Sequence, residues 1–335
     1  MSKPPQWLSL GNVILSLILL WAAWHLLDWA VLSAVFRADA VACHALDGTG
    51  ACWGVVTEKY RLILFGRYPQ DQQWRPLIGT LLMLALLGAS TVARLRSKTL
   101  LYAWIGGLSL TLLLLKGGVL GLSIVDTPRW GGFPLTLLLT IFGLAGAFPV
   151  AVLLALGRNG QLPAVRALCT VFIELIRGVP LVAVLFMAAF MFPLLMPKGW
   201  EVAALFRVLV GIILFAAAYM AEVIRGGLLA LRKGQNEAAQ ALGLSYWQVQ
   251  RFIVIPQAIR NVLPSLMNSA IALFKDTSLV IIVGLFELTG ALGLAVDGDP
   301  KWRPFALDGY LFIALVYWLG CFVLSRYGRR LERHT

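Results

Sequence analysis

The sequence predicts an all-α, polytopic membrane protein with about eight transmembrane helices, on three observations. Hydrophobic residues make up 60% of the 335 and charged residues only 13%, against roughly a quarter charged in an ordinary soluble domain. Mean hydropathy is +0.83. Eight apolar runs, near 10–36, 77–93, 99–121, 134–156, 168–196, 203–224, 263–286 and 308–325, approach the length of about 20 residues that crosses roughly 30 Å of hydrocarbon. Short polar links join them and leave no amphipathic remainder to enclose a soluble core.

The first run could be a signal peptide, because Arg37-Ala38-Asp39-Ala40 offers an Ala-x-Ala-like site. Its apolar stretch is nearly twice the usual length and only Lys3 precedes it, so it is read as a span. The segment 37–76 that follows holds Cys43 and Cys52, with Gly48 and Gly50 between them to let the chain turn back. An exported loop permits a disulfide there; two unpaired small residues are the other reading. The next two runs complete an N-terminal part, residues 1–132, with three spans and tryptophan-rich edges of the kind that settle at membrane interfaces. The stretch "DTPRWGGFP", with its prolines and paired glycines, marks a break. Residues 133–335 then carry five spans and the distinctive polar features.

Net charge is +12, and its distribution speaks for topology rather than for nucleic acid. If the N-terminus is cytoplasmic, the inner links hold Arg94, Arg96, Lys98, Arg158, Arg166, Arg225, Arg232, Lys233, Arg251 and Arg260, and the tail adds Arg326, Arg329, Arg330 and Arg333. Against them stand only Glu237 and Glu332. The opposite links collect Asp39, Asp47, Glu58, Asp126, Glu287, Asp297 and Asp299 among others. By the positive-inside rule both termini are expected inside the cell.

One cytoplasmic stretch is too polar to cross and too alanine-rich to be an idle loop. In "EAAQALGLSYWQVQRFIVIPQAI", residues 237–259, a helix starts at Glu237, Gly243 supplies a turn, Ser245 caps a second helix, and Pro256 is expected to end it. Ala238, Ala239 and Ala241 leave a smooth surface for a partner's cleft, while Trp247, Phe252 and Ile253 root the second helix in the membrane domain. The alternative is an amphipathic helix lying on the membrane. The spacing of Glu237-Ala238-Ala239, Gly243, Ile253 and Pro256 resembles the EAA loop of ABC-importer permeases, EAA-x3-G-x9-I-x-L-P, at every position. Ile255 replaces the usual Leu, an apolar exchange of similar volume. The resemblance implies a type I ABC-importer permease fold in the C-terminal part. It also implies that the loop, about 226–262, is a coupling helix docked on a separate ATPase.

"ELIRGVPL" (Glu174, Arg177), "YMAEVIRGGLLALRKGQNEAAQALG" (Glu222, Arg225) and "KDTSL" (Lys275 to Leu279) are similar to the polar amino acid subfamily, the histidine/glutamine/arginine type. The long form resembles the M-type permease subunit of general L-amino-acid importers. What this implies is a periplasmic amino-acid-binding protein, an ATP-binding subunit dimer, and a second permease subunit of Q type completing a heterodimeric pore in membrane lipid. Glu174 and Arg177, and Glu222 and Arg225, are three residues apart, so each pair is either a structural ion pair or part of a gate at the cytoplasmic mouth. Lys275, Asp276, Thr277 and Ser278 lie well inside a span, where an unpaired charge is costly. They are candidates for the translocation path or a structural pair.

No G-x-x-x-x-G-K-[ST] occurs, so this chain is expected to bind no nucleotide, ATP being hydrolysed by the partner. His25, His44 and His334 are the three histidines. They form no metal-ligand or catalytic grouping with the cysteines, so neither a metal nor an enzyme is expected. An ion-coupled secondary amino acid transporter is the alternative; such proteins often carry inverted repeats with broken helices, and no convincing repeat is visible.

Overall fold

A computed structural model describes residues 10–91, 98–119, 121–197, 199–232 and 234–333. Of the basic residues assigned above to the inner links, Arg94, Arg96 and Lys233 lie outside the described residues, as does His334. Along the chain come α1 (Leu10–Leu27), α2 (Ala40–His44), α3 (Gly54–Phe65), α4 (Trp74–Ser90) and α5 (Lys98–Lys116). Then follow α6 (Gly132–Asn159), α7 (Pro163–Arg177), α8 (Leu181–Phe186), α9 (Phe192–Leu194) and α10 (Ala204–Leu229). The last third holds α11 (Gly234–Ala241), α12 (Tyr246–Val249), α13 (Ile255–Asp276), α14 (Leu288–Asp297) and α15 (Ala306–Arg333). Among the described residues there is no strand, only two isolated bridges.

Among the described residues, six helices are long and apolar enough to cross a membrane: Gly11–Leu32, Lys98–Lys116, Gly132–Asn159, Ala204–Leu229, Tyr246–Val283 and Arg303–Glu332. The expected eight need two corrections. The run 168–196 is not one straight helix, because α7 and the helix Leu181–Leu194 meet at 104°. Pro180 forces Val179 out of the helical region and has no N–H to continue the ladder. The run 77–93 becomes α4, 17 residues, or about 25 Å at 1.5 Å per residue, at the short end of the lengths that cross a bilayer.

The chain divides into two compact units. The first joins residues up to Arg61 with Leu292–Ala314. Here Cys43 and Cys52 are disulfide-bonded, which selects one of the two readings left open above. The Asp39 carboxylate caps α2 by accepting from the N–H groups of Val41 and Ala42, at 2.9 and 3.2 Å. Cys52 N–H donates to the buried Asp308 carboxylate at 3.1 Å, Lys59 pairs with Asp299 at 2.6 Å, and Trp302 is buried.

The second unit, Leu62–Ala291 with Leu315–Thr335, is organised around α6 against α10. Ala147, Ala151 and Ala155 face Ala217 and Ala221 in one buried cluster, and small residues let helices approach closely where lipid offers no hydrophobic drive. In the α4–α5 hairpin, Arg75 is 1% exposed. Its Nε donates to Leu114 O at 2.5 Å and Nη1 to Ser123 O at 3.0 Å, so the cation satisfies a carbonyl at the end of α5 that no helical N–H reaches.

Candidate functional site

Within 237–259 the local chemistry builds a helix, a turn and a second helix. Gly243 has φ +79°, the left-handed conformation in which glycine alone bears no Cβ penalty. Leu244 N–H donates back to Ala239 O at 3.3 Å, the six-to-one bond that closes a helix C-terminus. Ser245 N–H donates to Gln248 Oε1 at 2.8 Å, half of a capping box.

Three details of the expected geometry change. Pro256 does not end the helix: a five-residue π turn, Gln250–Val254, leads directly into α13, and the helical stretch runs on from Tyr246 through Val283. A widened turn relaxes the ladder where proline offers no donor, and Gln257 Nε2 donates to Ile253 O at 2.9 Å. Ala239 is not on the exposed surface where it was expected; it is buried in the chain's own core with Val249 and Val254. The exposed face consists of Glu237, Ala238 and Ala241, with Leu242 82% exposed. Trp247 and Phe252 are exposed at 67% and 64%, so Val249, Ile253 and Val254 root the second helix instead.

At the adjoining ends of α6, α7 and α10 the charged residues form a chain of pairs centred on Arg158. Its Nη2 meets Glu174 Oε1 at 2.8 Å and its Nη1 meets Glu222 Oε2 at 3.0 Å. Arg225 Nε contacts both oxygens of Glu222 at 3.0 Å, so the expected Glu222–Arg225 pair forms. Glu174 and Arg177 do not pair. Arg177 lies over the Tyr219 ring, 5.6 Å from its centroid, and its Nε is buried without a hydrogen bond. Arg158, read from sequence only as an inner-link cation, is the missed residue. It lies 16 and 64 positions from its partners, beyond any helical spacing rule.

Lys275 and Asp276 also separate, as neighbours on a helix must, being turned about 100° apart. Lys275 is exposed on its own chain and Asp276 half-buried. The two make no ion pair with each other. Asp276 lines a cavity of about 270 Å³ with Phe215, Tyr219, Met220 and Ser269. Thr277 is fully buried and donates to Phe274 O at 2.7 Å, and Ser278 is half-buried in the following 3-10 turn.

Glu287, read as one of the acids of an outer link, is instead 0% exposed. Oε1 accepts from the N–H groups of Thr289 and Gly290 at 2.8 and 3.0 Å. Oε2 accepts from Tyr317 OH at 2.7 Å and Thr136 Oγ1 at 3.2 Å. One carboxylate thereby caps α14 and ties it to α6 and α15. It lies beyond the end of the Tyr246–Val283 span. Burial pushes its carboxyl above the usual carboxylate range, against the opposing pull of Thr289, Tyr317, Gly290 and Thr136. An acid directly before an apolar run is a helix-start signal and could have placed Glu287 at a cap.

Residues 147–335 match the family described as binding-protein-dependent transport system inner membrane component. The inner membrane amino-acid ABC transporter permease protein YhdY of Escherichia coli (strain K12) is 44% identical over 340 residues, covering 97% of this chain and 89% of the relative. The glutamate/glutamine/aspartate/asparagine transport system permease protein BztC of Rhodobacter capsulatus is 38% identical over 344 residues, covering 86% and 79%. A crystal structure of an amino acid ABC transporter with histidines aligns at a TM-score of 0.52 and 28% identity, over 61% of this chain and 92% of that one.

Proposed function

The chain belongs to the family of binding-protein-dependent transport system inner membrane components, and from that premise we propose that it is the permease subunit of an ATP-driven importer of L-amino acids. The observation that carries the reading is the helix–turn–helix at 237–259, which keeps the EAA spacing and presents Ala238, Ala241 and Leu242 outward around the left-handed Gly243. Small side chains there let a cleft close on the helix backbone, and an exposed leucine beside them gives that contact an apolar anchor.

A periplasmic binding protein delivers the amino acid and a separate ATPase dimer hydrolyses ATP; this chain binds no cofactor of its own. Residues 1–132 are an extension with its outer segment, residues 133–335 form the half-pore, and both termini are cytoplasmic. A related Q-type subunit supplies the other half. Closure of the ATPase clefts moves α11 and α12, and the π turn transmits that movement along the continuous helix to Asp276. The cavity at Asp276, with Tyr219 and Ser269, lies on the translocation path. Asp276 is a counter-charge for a substrate ammonium, and Lys275, facing outward from this chain, belongs to the boundary with the second half-pore. The pairs among Arg158, Glu174, Glu222 and Arg225, with Arg177 beside them, form the gate near the cytoplasmic mouth. The two gate states differ in which of these pairs are made.

The test is the assembled complex of this chain, its second permease subunit and the ATPase, reconstituted with the binding protein. Amino acids should raise ATP hydrolysis, and uptake should require ATP with no ion gradient imposed. Uptake driven by a proton or sodium gradient in the absence of any ATPase would replace this reading with the secondary-transporter one.

A further inference from the structure

A groove of about 520 Å³ opens where the link between α6 and α7 meets the start of α12. Leu153, Leu156, Leu162 and Val165 form one side, and Tyr246 and Trp247 the other. The lining is uncovered: Leu153 is 62% exposed, Leu162 68% and Trp247 67%. Its level follows from the spans. The apolar helix Gly132–Asn159 ends beside it, with Arg158 in its last turn, so it lies at a membrane–water boundary, where tyrosine and tryptophan prefer to reside.

The rim is cationic. Arg166 donates to Gly160 O through both Nε, at 3.0 Å, and Nη2, at 2.6 Å, and Gly160 lines the groove. Two bonds to one acceptor hold the guanidinium plane at the rim and leave Nη1 without a protein partner among the described residues. No acidic side chain lines the groove. Glu174 on α7 and Glu222 on α10 are engaged with Arg158.

An apolar trough at an interface, with a fixed cation at its mouth, matches a molecule with a hydrocarbon tail and an anionic head. We propose that this groove is a specific site for one anionic phospholipid, its acyl chain along Leu153 and Leu156 and its phosphate at Arg166. The lipid bridges the α6–α7 link to the helix that leads out of the EAA-like segment. This assignment does not depend on the transport reading, and its test reads lipid binding rather than uptake.

The full chain, purified in mild detergent, is titrated with phosphatidylglycerol and separately with phosphatidylcholine, and bound lipid is counted by native mass spectrometry. One phosphatidylglycerol should be held about five-fold more tightly than phosphatidylcholine, the preference expected for a single arginine near a lipid surface. Arg166→Gln should bring the two affinities together and Arg166→Lys should restore most of the difference, both with unchanged thermal unfolding. Leu153→Trp, which fills the trough, should weaken both lipids. Inorganic phosphate at millimolar concentration should displace neither. Equal affinities in the parent chain overturn the proposal, as does a preference that survives Arg166→Gln. A self-association abolished by Trp247→Ala, with no lipid selectivity, would assign the groove to a second copy of the chain instead.

Discussion

Glu287 holds four hydrogen bonds from three parts of the chain in a site closed to water, so its charge and its shape have separable effects. Glu287→Ala strands buried donors, each at a cost of about 1–3 kcal/mol, and should lower the unfolding temperature clearly. Glu287→Gln keeps most acceptor capacity and should cost less. A carboxyl whose folded pKa is raised stabilises the fold fully below the unfolded carboxylate value, near ~4.3, and loses that contribution as pH rises through the folded value. Thermal unfolding between mildly acidic and neutral pH should therefore show a decline with rising pH that Glu287→Gln flattens; an unaltered slope in the variant would assign the decline elsewhere. Asp276 and Lys275 allow a second test, because only Asp276 opens into the cavity. Asp276→Leu should abolish uptake in assembled complexes, and Lys275→Met should retain more of it. The reverse order would move the path to the other face of α13.

At the scale of the element, the proposed coupling segment depends on one backbone conformation and one register. Gly243→Trp places a side chain in the left-handed region, costing about 1–2 kcal/mol, and projects it into open space, since nothing of this chain lies within 4 Å of a Cβ there. The chain should insert normally while amino-acid-stimulated ATP hydrolysis fails. Parental uptake in an inserted Gly243→Trp variant would show that the loop is not the coupling element. The helix and its turn were readable locally, because capping and left-handed glycine chemistry act over a few residues. The fate of Pro256 was not. A π turn trades one ladder bond for continuity, and that exchange is favourable only because the span beyond it is held by packing of Val254 and Ala258 against the core.

For the whole molecule, the charge bias makes a labelling prediction. In a chain with Cys169 and Cys321 replaced by Ser, single cysteines at Asp47 and Asp297 should react with an impermeant thiol reagent from outside the cell, and one at Arg330 should not. The opposite pattern would invert the topology and remove the proposed ATPase contact. Asp47 and Asp297 belong to the same compact unit, so they should label together whichever face is outside.

The all-α membrane class, most spans, the left-handed turn at Gly243 and the Glu222–Arg225 pair were determined by the sequence itself. Each depends on composition, on charge bias, or on residues within about one or two helical turns, where spacing alone brings side chains together. Only the tertiary structure decided the pairing of Glu174 with Arg158 rather than Arg177, the inward turn of Ala239, the cap at Glu287 and the division of Lys275 from Asp276. It also chose between a disulfide and free thiols at Cys43 and Cys52. Those outcomes turn on which helices pack side by side and which face of each is covered. Desolvation and partner geometry there are set by residues tens to hundreds of positions away, and no local pattern carries that information.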